Sequence, residues 1–371
     1  MEGTGEQLAE KVQALSDIEL AVLLCLVADQ HCIIEAEKEV IDGVREELKL
    51  VASDVFGLTW AVLECDEQTT LDDFGSGILV TEDVDDYFSN RNDKTTGRQL
   101  SSISGSPWMP DRRASKSPKP FSPLDSRRIA NVVVLKNLSR ASSQVQIQAL
   151  ELMRGKRNFT RTAVHAAPKQ FLLLALNEAG SPRLTTHLND QIFISHKHQS
   201  DDGLPNLEEL QDKSLASDDG VSTSSVVHTP PYALAKRKPQ AILFSSEDLA
   251  QLTTLTTEVK ISSEVRSYVH NIVVFMRLHR AVAGGISAMA TRHFNTLAHA
   301  LAPLHGLNYV SPSLVALAAR KIYPHRIIIT APENERSMQW GSSLSAVKAV
   351  LHGVTVEDVV EEVLQSVEVP L

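Results

Sequence analysis

The chain has 371 residues, 43% of them hydrophobic and 22% charged, and a formal net charge of −10. This balance excludes a globally disordered chain and leaves room for two domains. It also argues against a general nucleic-acid binder, because phosphate contacts need clustered lysine and arginine.

Met1–Glu10 is acidic and polar, which argues against a secretory signal. Apolar residues then recur at Leu8, Val12, Leu15, Leu20 and Leu24, a spacing that predicts a helix over 8–26. The apolar run Leu20–Ala28 is too short to span a bilayer. His31–Glu35 reads as a strand, Glu39–Val51 as an amphipathic helix, and Thr59–Glu64 as a second strand. This β-α-β alternation predicts a mainly parallel sheet.

The composition breaks at Asp83–Arg128, which is rich in serine, proline and charge and poor in aliphatic side chains. Such a segment buries too little surface to offset its ordering entropy, so a disordered insert is expected. It holds Arg112-Arg113-Ala114-Ser115 and the Ser-Pro steps at Ser106, Ser117 and Ser122. Ser115, Ser117 and Ser122 are therefore candidate phosphosites. A strand at Val132–Leu135, a helix at Val145–Met153 and a strand at Phe171–Leu176 follow. A second polar stretch, 201–238, reads as a disordered linker. Beyond it the pattern is helical: a start at Ser245 with Asp248 in capping-box spacing, then Tyr268–Val282, Ala288–Leu304, and Leu314–Ile322 with Pro312 at its head. The reading is an α/β core over 1–200 with the 83–128 insert, a linker over 201–238, and a helical domain over 239–371.

Cys25, Cys32 and Cys65 lack paired-motif spacing and read as reduced, buried residues of an intracellular protein. His187, His196 and His198 suggest no metal site, since alternating histidines near a strand end ordinarily face solvent. Lys236-Arg237-Lys238-Pro239 reads as a solvated run, with a nuclear signal as the sharper alternative.

Two stretches carry a family resemblance. Asn131–Met153, NVVVLKNLSRASSQVQIQALELM, resembles the second Walker segment of the MoxR and magnesium-chelatase branch of AAA+ ATPases, with Arg140-Ala141 and Gln146 fitting the pattern. Tyr268–His279, Gly284–Ala290 and His305–Ile327 resemble the lid of the same branch. Gly285, Ser287, Ala290, Gly306, Tyr309, Val310, Pro312, Val315, His325 and Arg326 match. The likeness is strongest over 240–371, moderate over 131–194, and positional only over 16–80. It implies an AAA+-like parallel sheet with flanking helices, a P-loop core and an all-α lid.

The same resemblance places the nucleotide positions, and the charged ones are altered. The phosphate lysine falls at Asp42, in the stretch Ala36–Gly43, where Glu37 and Glu39 add further negative charge. The Walker carboxylates fall at Lys136 and Asn137. The polar sensor falls at Glu178, with Asn177 one residue early, so a one-residue bulge would restore it. The arginine finger becomes Gln191, and the lid's sensor arginine becomes Met289, with Arg292 nearly a turn further on. Asn177 and Arg292 are the residual candidates for nucleotide contact.

Arginine fingers alone contribute orders of magnitude to phosphoryl transfer. The expectation is therefore a chain without intrinsic ATPase activity, catalytic residue, metal or cofactor, which acts as an adaptor or regulatory subunit. Its expected partner is a protein or an AAA+ oligomer, with neither nucleic acid nor membrane. The expected location is the cytoplasm, with the nucleus as the alternative. The rival expectation is the ATPase motor subunit of a magnesium-chelatase-like complex, with ATP and Mg²⁺ as cofactors. A third reading is an unrelated helical interaction domain.

Overall fold

The computed structural model describes residues 8, 10–81, 127–161, 163–216 and 242–370. Five strands build one parallel sheet: β1 (Cys32–Ala36), β2 (Trp60–Glu64), β3 (Val132–Lys136), β4 (Leu172–Glu178) and β5 (Ile194–His198). Their spatial order is β2-β3-β4-β1-β5. Strands of a parallel sheet are covered on both faces and so read as continuous apolar runs. Alternation sorts them: Cys32, Ile34, Val132, Val134, Leu172, Leu174 and Leu176 enter one core, while Ile33, Val133, Leu135, Leu173 and Ala175 enter the other.

Helices α1 (Asp17–Ala28) and α2 (Ile41–Leu50) cover the first face. Helices α3 (Leu71–Gly77), α4 (Ser143–Gly155) and α5 (Thr186–Gln191) lie on the second. The expected helix over 8–26 is interrupted. Ser16 N–H donates to the Glu19 carboxylate at 2.7 Å, and α1 starts afresh at Asp17. α2 runs into a π-helical turn, Val51–Val55.

Helix α6 (Pro205–Ala216) lies within the stretch expected to be a disordered linker. Its first turn is fastened to α2 and α1: Asn206 N–H and Leu207 N–H donate to Glu47 at 3.1 and 2.8 Å, and Asn206 Nδ2 donates to Glu19 at 2.8 Å. Polar composition concealed a helix held by a buried carboxylate. The ends of the 83–128 insert meet, because Leu79–Val80 pairs antiparallel with Arg128–Ile129. The body of that insert, with Ser115, Ser117 and Ser122, lies outside the described residues, as do 217–241.

The C-terminal part comprises α7 (Ser246–Glu258), α8 (Ser263–Leu278), α9 (Ala288–Leu304), α10 (Pro312–Ile322), α11 (Leu344–Leu351) and α12 (Val356–Ser366). The caps follow the sequence. Asp248 N–H donates to Ser245 Oγ at 3.1 Å, and Leu314 N–H donates to Ser311 Oγ with Pro312 in the first turn. The expected helix Tyr268–Val282 instead ends at Leu278. His279 turns extended, and Val282–Gly284 pairs with Ile328–Ile329 as a two-stranded ribbon.

The helical part packs on α1 through α7 and α9, and on β5 through α10. One continuous apolar core joins it to the first face of the sheet. The compositional boundary near 239 is therefore no break in packing. His196 and His198, expected to face solvent, are buried, because α1 and α10 cover the edge strand. The three cysteines are free and buried. Among the described residues no helix is long and apolar enough to cross a membrane.

Candidate functional site

The carboxyl ends of β1 and β3 meet the start of α2. Between β1 and α2 the chain makes a tight turn, Glu37–Val40, without glycine. Val40 N–H and Ile41 N–H both donate to Glu37 O, at 3.2 and 3.0 Å. Two of the backbone donors that could face an anion there are spent on the turn itself. Asp42 sits in the first turn of α2.

Lys136 closes β3 opposite Glu64 of β2, and its side chain is only 9% exposed. Its Nζ lies 2.8 Å from Asp42 Oδ1 and 3.0 Å from Glu64 Oε1. Arg45 reaches Asp42 at 3.1 Å. The hydrogen bond from Lys136 holds the Asp42 carboxyl below the usual carboxylate range. Burial pushes the Lys136 ammonium down, but its bonds to Asp42 and Glu64 outweigh that and leave it above the ordinary lysine value. Asn137 follows in the left-handed region, with φ 57°, and donates its N–H to Leu176 O at 2.7 Å.

The bulge that would restore Asn177 is absent: β4 keeps an unbroken register with β1, Glu35 opposite Asn177 and Ala36 opposite Glu178. Strand alternation turns Asn177 away from α2. It is buried, and its Oδ1 accepts from Ser139 N–H at 3.4 Å. Glu178 pairs with Arg140. Gln191 ends α5 and accepts from Arg154 Nε at 3.2 Å. Met289 is half-buried at the head of α9, and Arg292 is exposed on that helix. Among the described residues no hydrogen bond or ion pair joins Gln191, Met289 or Arg292 to Lys136. The structure thus gathers Asp42 and Lys136 and adds Glu64, which sequence reasoning missed. The signal for Glu64 was its position closing β2.

A second cluster fastens the sheet domain to the helical part. The Arg326 guanidinium is almost fully buried. It donates to Asp190 Oδ1 at 3.0 Å and to Ile192 O, and its Nη2 lies 2.7 Å from His293 Nδ1. Ser287 Oγ donates to the same Asp190 oxygen at 2.5 Å, and Asn189 Nδ2 donates to His325 O at 2.8 Å. Burial lowers the His293 pKa to about 3, helped by the Arg326 charge, so its ring stays neutral beside the guanidinium. Gly285 adopts φ +102°, and a Cβ there would lie 2.0 Å from Arg326 O. A cleft of about 570 Å³ opens beside this lock, with Arg183, Arg277, Arg326, Arg336 and Asp190 on its walls.

A parallel sheet in this order, with the helical part locked onto its edge, narrows the fold. Residues 274–343 match the family model of the AAA lid domain. A crystal structure of a candidate ATPase from Cytophaga hutchinsonii superposes with a TM-score of 0.61, covering 99% of this chain and 94% of that one at 14% identity. The fold is that of an AAA+ module. A full-length MCM homolog from Methanopyrus kandleri aligns at TM-score 0.43 and 13% identity, covering 84% of this chain and 59% of that one. Among curated proteins, "Maintenance of telomere capping protein 2" of Lachancea thermotolerans is 30% identical over 116 residues. That match covers 30% of this chain and 41% of that protein.

An AAA+ module implies ATP and Mg²⁺, and the groups at the ends of β1 and β3 do not suit them. A bound triphosphate wants free backbone N–H groups and a lysine, and its Mg²⁺ wants carboxylate and phosphate oxygens. Here the turn has no glycine, a carboxylate stands at Asp42, and an ammonium stands at Lys136, paired with each other at 2.8 Å.

Proposed function

We propose that this chain is a non-hydrolysing AAA+ protein of the MoxR and magnesium-chelatase branch, serving as an adaptor or regulatory subunit. The observation that supports it best is the ion cluster Asp42–Lys136–Glu64, with Lys136 Nζ 2.8 Å from Asp42. The cluster fills with protein charges the space that a phosphate lysine and a metal-binding carboxylate would frame. Catalysis of phosphoryl transfer is mostly positioning and electrostatic stabilisation, so a site of reversed charge has little to offer it. The branch assignment is supported by the lid residues Gly285, Ser287, His325 and Arg326, which meet in one lock with Asp190.

The partner in this reading is a protein or an AAA+ oligomer. The location is the cytoplasm or the nucleus. The name of the Lachancea relative favours the nucleus and brings telomere maintenance forward as the process served.

Phosphate release from the wild type and from Lys136→Asp with Asn137→Glu tests the non-hydrolysing half. No metal-dependent turnover is expected from either. Clear turnover by the wild type favours the ATPase motor reading. Crosslinked purification of the tagged chain from its own cells tests the adaptor half. A stoichiometric protein partner is expected, and a bare monomer throughout contradicts it.

A further inference from the structure

Strand β5 ends in two histidines on one face. His196 and His198 stand two residues apart, so their side chains share a side of the sheet. They are 3% and 5% exposed. After them Ser200–Asp202 forms a single 3-10 turn, pinned by Gln199 N–H donating to the Asp202 carboxylate at 2.8 Å. The turn carries Asp202 back toward the rings. His198 Nδ1 lies 3.9 Å from Asp202 Oδ2, and one ligand atom from each of the three residues lies within 4.8 Å of the others.

His196 Nε2 is buried and has no hydrogen-bond partner among the described residues. An unpaired buried nitrogen is costly, and a neutral imidazole nitrogen is the commonest metal ligand. Lys321 and His198 face the His196 ring. The other charges facing it are the carboxylates of Asp17 and Asp202, which outnumber the ammonium of Lys321.

We propose that His196, His198 and Asp202 form a binding site for a divalent transition-metal ion of the zinc class. Two nitrogens and one carboxylate oxygen suit such an ion, whereas Mg²⁺ and Ca²⁺ prefer all-oxygen sets. Bonds of about 2.0–2.1 Å put tetrahedral ligand atoms roughly 3.3 Å apart, so the three groups close on an ion by side-chain rotation. Water completes the set. The ion clips the end of β5 to the turn that leads into α6. That turn also carries Ser200, whose hydroxyl donates to Glu37 Oε2 at 2.7 Å. The clip therefore reaches the β1–α2 turn, beside the Asp42–Lys136 pair.

The test uses the full chain without an affinity tag. Zn²⁺ uptake is measured by competition with a chromogenic chelator, and Co²⁺ by its visible ligand-field band. The wild type is expected to take up about one Zn²⁺ per chain, to show a Co²⁺ band of four-coordinate intensity, and to melt higher with Zn²⁺ than with chelator. His196→Gln, His198→Gln and Asp202→Asn are each expected to weaken binding at least about tenfold, while His187→Gln binds as the wild type does. A wild type with neither stoichiometric uptake nor a Co²⁺ band overturns the proposal, whether or not the variants fold. Folded His196→Gln and His198→Gln chains that bind as tightly as the wild type overturn it too.

Discussion

Lys136 Nζ donates to Asp42 Oδ1 across 2.8 Å, from the last residue of β3 to the first turn of α2. The proposed function makes this an ion pair of reversed polarity, carboxylate on the helix and ammonium on the strand. A double-mutant cycle with Asp42→Asn and Lys136→Met is expected to give a coupling of about 1 kcal/mol, kept small because Asp42 is largely exposed. Its pH dependence follows from both partners. Asp42 has its folded pKa depressed, so its share is present above about pH 4 and is lost as pH falls through the folded value. Lys136 has its folded pKa raised, so its share is present below about pH 10.4 and is lost above the folded value. Urea denaturation at pH 7 and near pH 3 checks this. Coupling that does not shrink at the lower pH contradicts it.

Arg326 is the keystone between the sheet and the lid. Arg326→Met is expected to cost about 2–4 kcal/mol, because Ile192 O and the half-buried Asp190 each lose a charged donor, which leaves Asp190 only the Ser287 hydroxyl from this cluster. Arg326→Lys is expected to recover little of this. One ammonium cannot reach Asp190, Ile192 O and His293 from the positions of a guanidinium fork. The urea midpoints of the three proteins decide it, and a lysine variant as stable as the wild type would sink the idea.

Two glycines separate backbone strain from steric closure. Gly285 has φ +102° and abuts Arg326 O, whereas Gly306 has φ +69° and open space around it. Gly306→Ala is expected to cost about 1 kcal/mol. Gly285→Ala is expected to cost at least about 3 kcal/mol, because the Arg326 carbonyl must shift. Thermal unfolding of both variants measures the gap, and equal losses would refute the close approach.

His31 ties acid stability to the sheet. Its Nδ1 accepts from Leu173 N–H at 3.1 Å, and burial lowers its pKa to about 3, helped by the Lys156 charge. The unfolded chain protonates this ring near pH 6.5 while the folded chain does not. Stability is therefore fully present above about pH 6.5 and drains as pH falls toward 3, at up to about 1.4 kcal/mol per pH unit. Replacing His31 with Asn is expected to lower stability at pH 7 and to flatten the slope between pH 6 and 4 by about one proton. An unchanged slope in urea titrations across that range would contradict the assignment.

The strands and long helices were legible because their apolar periods are clean: Val132–Lys136 and Ala288–Leu304 stand within a residue or two of their expected bounds. Asp42 and Lys136 were singled out by the family resemblance, and the structure brings the two side chains together. Glu64 was not, because its partnership depends on the β2–β3 register, a long-range pairing. The burial of His196 and His198 was misread for a related reason. A histidine alternation shows a strand end, but only tertiary packing says that α1 and α10 cover it. α6 was missed because the carboxylate that holds its first turn, Glu47, lies 159 residues from Asn206.

The central claim is that the Asp42–Lys136–Glu64 cluster excludes a nucleotide triphosphate. Titration calorimetry of the full chain with ATP and Mg²⁺ tests it most directly. The account predicts no binding, or a dissociation constant weaker than about 10 μM, a binding free energy of roughly −7 kcal/mol. A constant well below that, abolished when Mg²⁺ is chelated, would contradict it and return the chain to the active ATPases.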